Sequence, residues 1–156
     1  MFLDLCDGEK EVPCQTRILG AHNIENLLLA CTMARVLGMD LETIARGASR
    51  AQPVEHRLQL LTSPGGVTVI DDAFNANPVG ADAAMDVIRS FTGGRKIVVT
   101  PGFVEMGARE AECNRTFGEH MADAADIAVL VGKRHTAPIA EGLRSKGFSE
   151  ENLHIV

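Results

Sequence analysis

The sequence predicts an α/β fold: a mostly parallel sheet with helices on both faces. Three observations carry that expectation. From residue 96 onward, runs of Val, Ile and Leu at 96–100, 126–131 and 153–156 alternate with segments of helical period at about 110–124 and 136–146. Strands that are apolar at nearly every position suit burial on both faces, the usual state of a parallel strand. The run at 67–70 stops at Asp71 and Asp72, then passes through a polar loop into another helical pattern. That strand–loop–helix order is where open α/β sheets place their ligands. Right-handed crossovers make the arrangement Rossmann-like.

A chain of 156 residues, 46% of them hydrophobic, has room for one ordinary domain with part of a neighbour. A net charge of -6 gives no general field for polyanions, so no nucleic acid is expected as a partner. No apolar run approaches the ~20 residues that span a bilayer, and the first residues lack the order of a signal peptide. Neither a membrane partner nor secretion is expected. Cys6, Cys14, Cys31 and Cys113 show no paired zinc spacing, so no metal site is assigned and free thiols in a cytoplasmic protein are expected.

In order along the chain, Met1 to Arg17 reads as a hairpin turning at Asp7-Gly8-Glu9-Lys10. A helix follows to Gly38, and a second helix is capped by Asp40. His22, Asn23 and Asn26 crowd the start of the first helix. Asn23 and Asn26 are three apart and share a side. Capping explains Asn23 as well as ligand binding does. Asn26, inside the helix where Asn is a poor former, is the stronger candidate for adenine, whose edge needs a donor and an acceptor together.

The aperiodic stretch Ala51-Gln52-Pro53-Val54-Glu55 marks a domain boundary, giving 1–51 and 52–156. Residues 57–61 and 67–71 then read as two strands joined by Ser63-Pro64-Gly65-Gly66. Pairing them brings Arg57 and Asp72 to one end. Asn77-Pro78 starts the next helix, with the Asn side chain as cap and proline at the first helical position. The residues at 101–107 and at 131–135, including Glu105, Lys133 and Arg134, sit on the carboxyl edge of the sheet.

Gly20-Ala21-His22-Asn23-Ile24-Glu25-Asn26-Leu27-Leu28-Leu29-Ala30, then His56-Arg57, then Asp71-Asp72-Ala73-Phe74-Asn75-Ala76-Asn77-Pro78 resemble three successive signatures of the Mur ligases. The third is most similar to the members that add D-alanyl-D-alanine to UDP-N-acetylmuramoyl-tripeptide. The resemblance implies an ATP-dependent ligase of peptidoglycan precursor synthesis that works through an acyl phosphate and uses ATP and Mg2+. It implies that 1–51 is the tail of a central ATP-binding domain and 52–156 most of a C-terminal one. The sequence contains no G-x-x-x-x-G-K-[ST], so the phosphate loop and the UDP-sugar site are expected in upstream domains of the same protein. A fragment lacking them is expected to be inactive alone.

By position, the resemblance places Asn23 and Asn26 on adenine, Arg57 on the ATP phosphates and Asp72 on the nucleotide, with Arg57 and Asp72 as the catalytic pair. It places Asn75, Asn77 and Pro78 on the loop that meets the incoming substrate. Close relatives carry Gly-Arg at His56-Arg57, and an Asp-bearing loop at 99–107 that this chain lacks, so the amino substrate stays open. A sister ligase, such as folylpolyglutamate synthase or an amino-acid-adding Mur ligase, and a non-catalytic nucleotide-binding module remain alternatives.

Overall fold

The computed structural model describes every residue except Glu9 and Pro64, which fall in the two expected hairpin turns. The chain divides into two compact units, Met1–Phe74 and Asn75–Val156.

In the first unit, β1 (Phe2–Asp7) and β2 (Lys10–Gln15) pair antiparallel, with Leu5 opposite Val12. Helices α1 (Ala21–Val36) and α2 (Leu41–Arg50) follow, and Leu5, Cys14, Leu27, Leu41, Ile44, Ala45 and Ala48 form one core. Asp40 caps α2 as expected, accepting from the Thr43 amide at 2.8 Å. Helix α1 is apolar well beyond its buried residue Leu27: Leu29, Met33 and Val36 are exposed, as is Leu37 at its C-terminal cap. The unit ends with β3 (Gln59–Thr62) and β4 (Thr68–Asp71), an antiparallel pair in which Gln59 faces Asp71. The expected strand at 57–61 therefore starts later: Arg57 precedes β3, because His56 and Leu58 adopt left-handed φ values of 61° and 47° that no strand contains.

The second unit is the predicted α/β body. Helix α3 (Pro78–Ser90) leads to β5 (Ile97–Thr100), α4 (Glu110–Ala122), β6 (Ile127–Leu130), α5 (Lys133–Ser145) and β7 (Leu153–Ile155). The three strands are parallel in the order β5-β6-β7, with Val98 beside Ala128 and Ala128 beside Leu153. Along β5, Val98 and Thr100 are buried while Ile97 and Val99 stay 55% and 64% exposed. Helix α5 begins three residues before the expected position, so Lys133, Arg134 and His135 form its first turn rather than a loop. Pro138, the sixth residue of that helix, obscures the pattern, because a proline there has no N–H to give the Arg134 carbonyl and reads as a break.

Asn77 caps α3, its Oδ1 accepting from the Gly80 amide at 2.9 Å, with Pro78 next in line. Asn77→Ala is expected to cost about 1 kcal/mol of stability. An unchanged melting temperature would remove the cap from the account.

Candidate functional site

The end of the β3–β4 hairpin carries Arg57, Asp71 and Asp72 of the residues that the sequence singled out. Arg57 lies just ahead of β3, and Asp72 just behind β4. The Leu58 amide donates to Asp72 Oδ1 at 3.0 Å, which closes the two strand ends on each other. Leu58 itself is 2% exposed and rests on Gly20, where a Cβ would stand 2.8 Å from its methyl group. Gly20, with φ 88°, is the N-terminal cap position of α1, so the start of the first sequence signature meets the residue that follows the second.

Arg57 lays its guanidinium over the Phe74 ring, 4.6 Å from the centroid. Stacked in this way, the planar guanidinium keeps its edge N–H groups turned away from the ring, where a fork of this kind can meet an anion. Burial pushes the Asp72 carboxyl above its ordinary range, against the Leu58 hydrogen bond and the nearby His22 and Arg57 charges, which favour ionisation. Asp71 makes two hydrogen bonds at the end of β4. Its Oδ1 accepts from the Ala73 amide at 3.1 Å, and its Oδ2 pairs with His56 Nδ1 at 2.8 Å.

Asn23 is not a helix cap: Gly20 occupies that position, and the Asn23 amide donates to the Leu19 carbonyl at 2.9 Å. Asn26 is exposed on the next turn. Asn75, Asn77 and Pro78 belong to the second unit. There Asn77 spends its acceptor on the cap, whereas Pro78 lines a cleft of about 240 Å3 with Asp82, Phe103, Arg109, Cys113 and Phe117. Cys113, a free thiol as expected, borders this cleft and is half-buried.

The loop after β5 is held rigidly. The Asn114 side chain, fully buried in α4, accepts from the Phe103 amide at 2.8 Å and donates to its carbonyl at 3.0 Å. Gly102, with φ 81°, passes so close that a Cβ would lie 2.9 Å from Asn114 Oδ1. Glu110 then pairs with His135 Nδ1 at 2.6 Å, and that hydrogen bond holds its carboxyl below the ordinary range.

Leu58 and Asn114 were not singled out by sequence, and His56 and Phe74 entered only as members of the signatures, with no role of their own. For position 56 a signal existed: the glycine of close relatives marks a backbone with positive φ.

The carboxyls of Asp71, Glu110, Glu42 and Glu150 are all held below their ordinary range, each chiefly by a hydrogen bond from a basic partner. A depressed folded-state pKa gives stability that is present above the unfolded pKa and lost as pH falls through the folded one. Thermal stability is therefore expected to hold above pH ~5 and to drop below pH ~4. A melting temperature that rises between those values would contradict the pairs.

Comparison with known proteins identifies the family. The profile described as "Mur ligase, glutamate ligase domain" matches residues 56–156. The chain is 32% identical over 98% of its length to the UDP-N-acetylmuramoylalanine--D-glutamate ligase of Pelotomaculum thermopropionicum, covering 32% of that protein. It is 33% identical over 80% of its length to the UDP-N-acetylmuramoyl-tripeptide--D-alanyl-D-alanine ligase of Bacillus subtilis, covering 28% of it. A crystal structure of MurF from Acinetobacter baumannii superposes with a TM-score of 0.80 at 26% identity, over 99% of this chain and 32% of that one. The chain thus spans about a third of the length of these relatives. With a profile match that begins at His56-Arg57 and runs through the parallel sheet, the chain belongs to the Mur ligase family.

Proposed function

We propose that this chain is the end of the central domain and most of the C-terminal domain of a cytoplasmic, ATP-dependent ligase. That ligase adds D-alanyl-D-alanine to UDP-N-acetylmuramoyl-tripeptide. The observation that carries the reading is the hairpin end, where Arg57 is stacked on Phe74 and the amide of the next residue, Leu58, is held by Asp72. Activating a carboxylate by phosphoryl transfer requires a fixed cation at the phosphates and a site from which water is excluded. Arg57 supplies the fork. Asp72, partly desolvated, suits a ribose hydroxyl or a metal-bound water at a nucleotide that closes over it. Asn23 and Asn26 on α1 would meet the adenine, and Pro78 with Asn75 the incoming dipeptide beside the cleft at Phe103.

Mur ligases use ATP and magnesium. Among the described residues no three His, Cys, Asp or Glu side chains converge on one point, so the reading assigns magnesium to the nucleotide phosphates and the remainder of the protein.

The near full-length match to a D-glutamate-adding relative favours a second reading, in which the amine is an amino acid. The Asp71–Pro78 string and the MurF superposition favour the dipeptide. Phosphate release by the longer ligase, offered D-alanyl-D-alanine or D-glutamate as the amine, separates the two. The 156-residue chain alone is expected to turn over no ATP, since its sequence has no phosphate loop. Turnover that survives further purification and falls on Arg57→Lys would overturn the division of labour.

A further inference from the structure

We propose that the two adjacent aspartates closing β4 form a clasp that fixes Arg57, with His56 and Asp71 as its positioning residues. The inference rests on the phosphate-binding reading of Arg57 but is tested without nucleotide. Among the described residues three non-glycine positions have positive φ, and two of them, His56 at 61° and Leu58 at 47°, flank Arg57. Such backbone persists only where its surroundings over-determine it.

Here they do, on both sides of the arginine. Asp71 Oδ2 holds the His56 ring at 2.8 Å, and Asp72 Oδ1 holds the Leu58 amide at 3.0 Å. The His56 amide donates to Gln59 Oε1 at 3.4 Å, and the Arg57 amide to the Val54 carbonyl at 3.1 Å. The ring under the guanidinium is tied to the same clasp. The Phe74 amide donates to the His56 carbonyl at 3.1 Å, and Asp71 Oδ1 accepts from Ala73 at 3.1 Å. One carboxylate, Asp71, therefore sets both the backbone that presents Arg57 and the ring on which it rests. A long, flexible side chain becomes a preorganised one without any contact from these residues to substrate.

The clasp predicts an unusual order of tolerance at position 56. Asn accepts left-handed backbone and can reach Asp71. Gly accepts the backbone only, and Ala neither accepts it easily nor bonds.

The test is NMR of the 156-residue chain, reading the upfield shift that the Phe74 ring imposes on the Arg57 side-chain protons. Wild type and His56→Asn should keep the shift, His56→Gly should show part of it, and His56→Ala and Asp71→Ala should lose it. If His56→Ala does not fold, Asp71→Ala and His56→Gly still give the comparison. Folded Asp71→Ala and His56→Gly chains with a full Arg57 shift would overturn the clasp. In the longer ligase, His56→Ala should lower kcat about tenfold with a smaller change in the KM for ATP, and His56→Asn should restore it. Arg57→Lys with normal kinetics would sink the phosphate reading while leaving the NMR result standing.

Discussion

Gly118→Ala should unfold the second unit at temperatures where the native chain is intact. Gly118 on α4 and Gly142 on α5 let the two helices touch backbone to backbone. A Cβ on the first would stand 2.1 Å from the Ile139 carbonyl oxygen, and one on the second 2.1 Å from that of Arg115. Neither obstacle is a flexible side-chain tip, so a whole helix must move. That movement would drag Ile139, Ala140 and Leu143, all essentially fully buried, out of register with the sheet. Overpacking of this kind costs roughly 3 kcal/mol or more. The protection of β6 amides against hydrogen exchange should then fall by about 10²-fold. Gly47→Ala in α2 is the control, because its Cβ would meet nothing within 4 Å. It should stabilise its helix by up to ~1 kcal/mol. Equal protection in Gly118→Ala and native chains would show that the helices can part at little cost.

Arg57→Lys in the longer ligase should slow turnover by on the order of 10²–10³. ATP affinity should change much less. Lysine keeps the charge but cannot lie flat on Phe74 while presenting two parallel N–H groups. Loss in kcat with KM nearly constant is the signature of a contact made in the transition state. Asp72→Asn should behave differently, raising the ATP and magnesium requirements together. Because burial already disfavours the Asp72 charge, the same substitution should leave the melting temperature of the isolated chain unchanged or higher. A ligase indifferent to Arg57→Lys would make the stacked arginine a surface ornament. A marked loss of stability in Asp72→Asn would show that its charge, rather than its acceptor oxygen, holds Leu58.

The parallel body was legible because β5, β6 and β7 are short apolar runs between helical patterns, and burial leaves little choice for such runs. The cap at Asn77 was legible for a similar reason: the Asn-Pro pair has one strongly preferred use. That the two ends of the hairpin meet followed from antiparallel pairing, which sets Gln59 opposite Asp71. Less was visible where a residue takes up a conformation that its type seldom adopts. Residues 57–61 look like a strand, yet Leu58 is left-handed, since burying its side chain over Gly20 and bonding its amide to Asp72 outweigh the local preference. Likewise α5 starts at Lys133, because Gly132 with φ 80° turns the chain before the basic residues. Single-residue spacing also could not show that Asn23 turns back to Leu19, because the competing partner is its own backbone.

The outward row of β5 has a practical consequence for anyone handling the chain. Ile97 and Val99, two apolar side chains on one face, meet water together, and at the end of α1 Val36 and Leu37 do the same at 77% and 76% exposure. Contiguous apolar surface of this sort draws molecules together in concentrated solution. Charged substitutions at Val99 and Val36, chosen for solubility, touch neither the hairpin end nor the cleft. They would let the residues of the hairpin end be studied on a chain that stays dispersed.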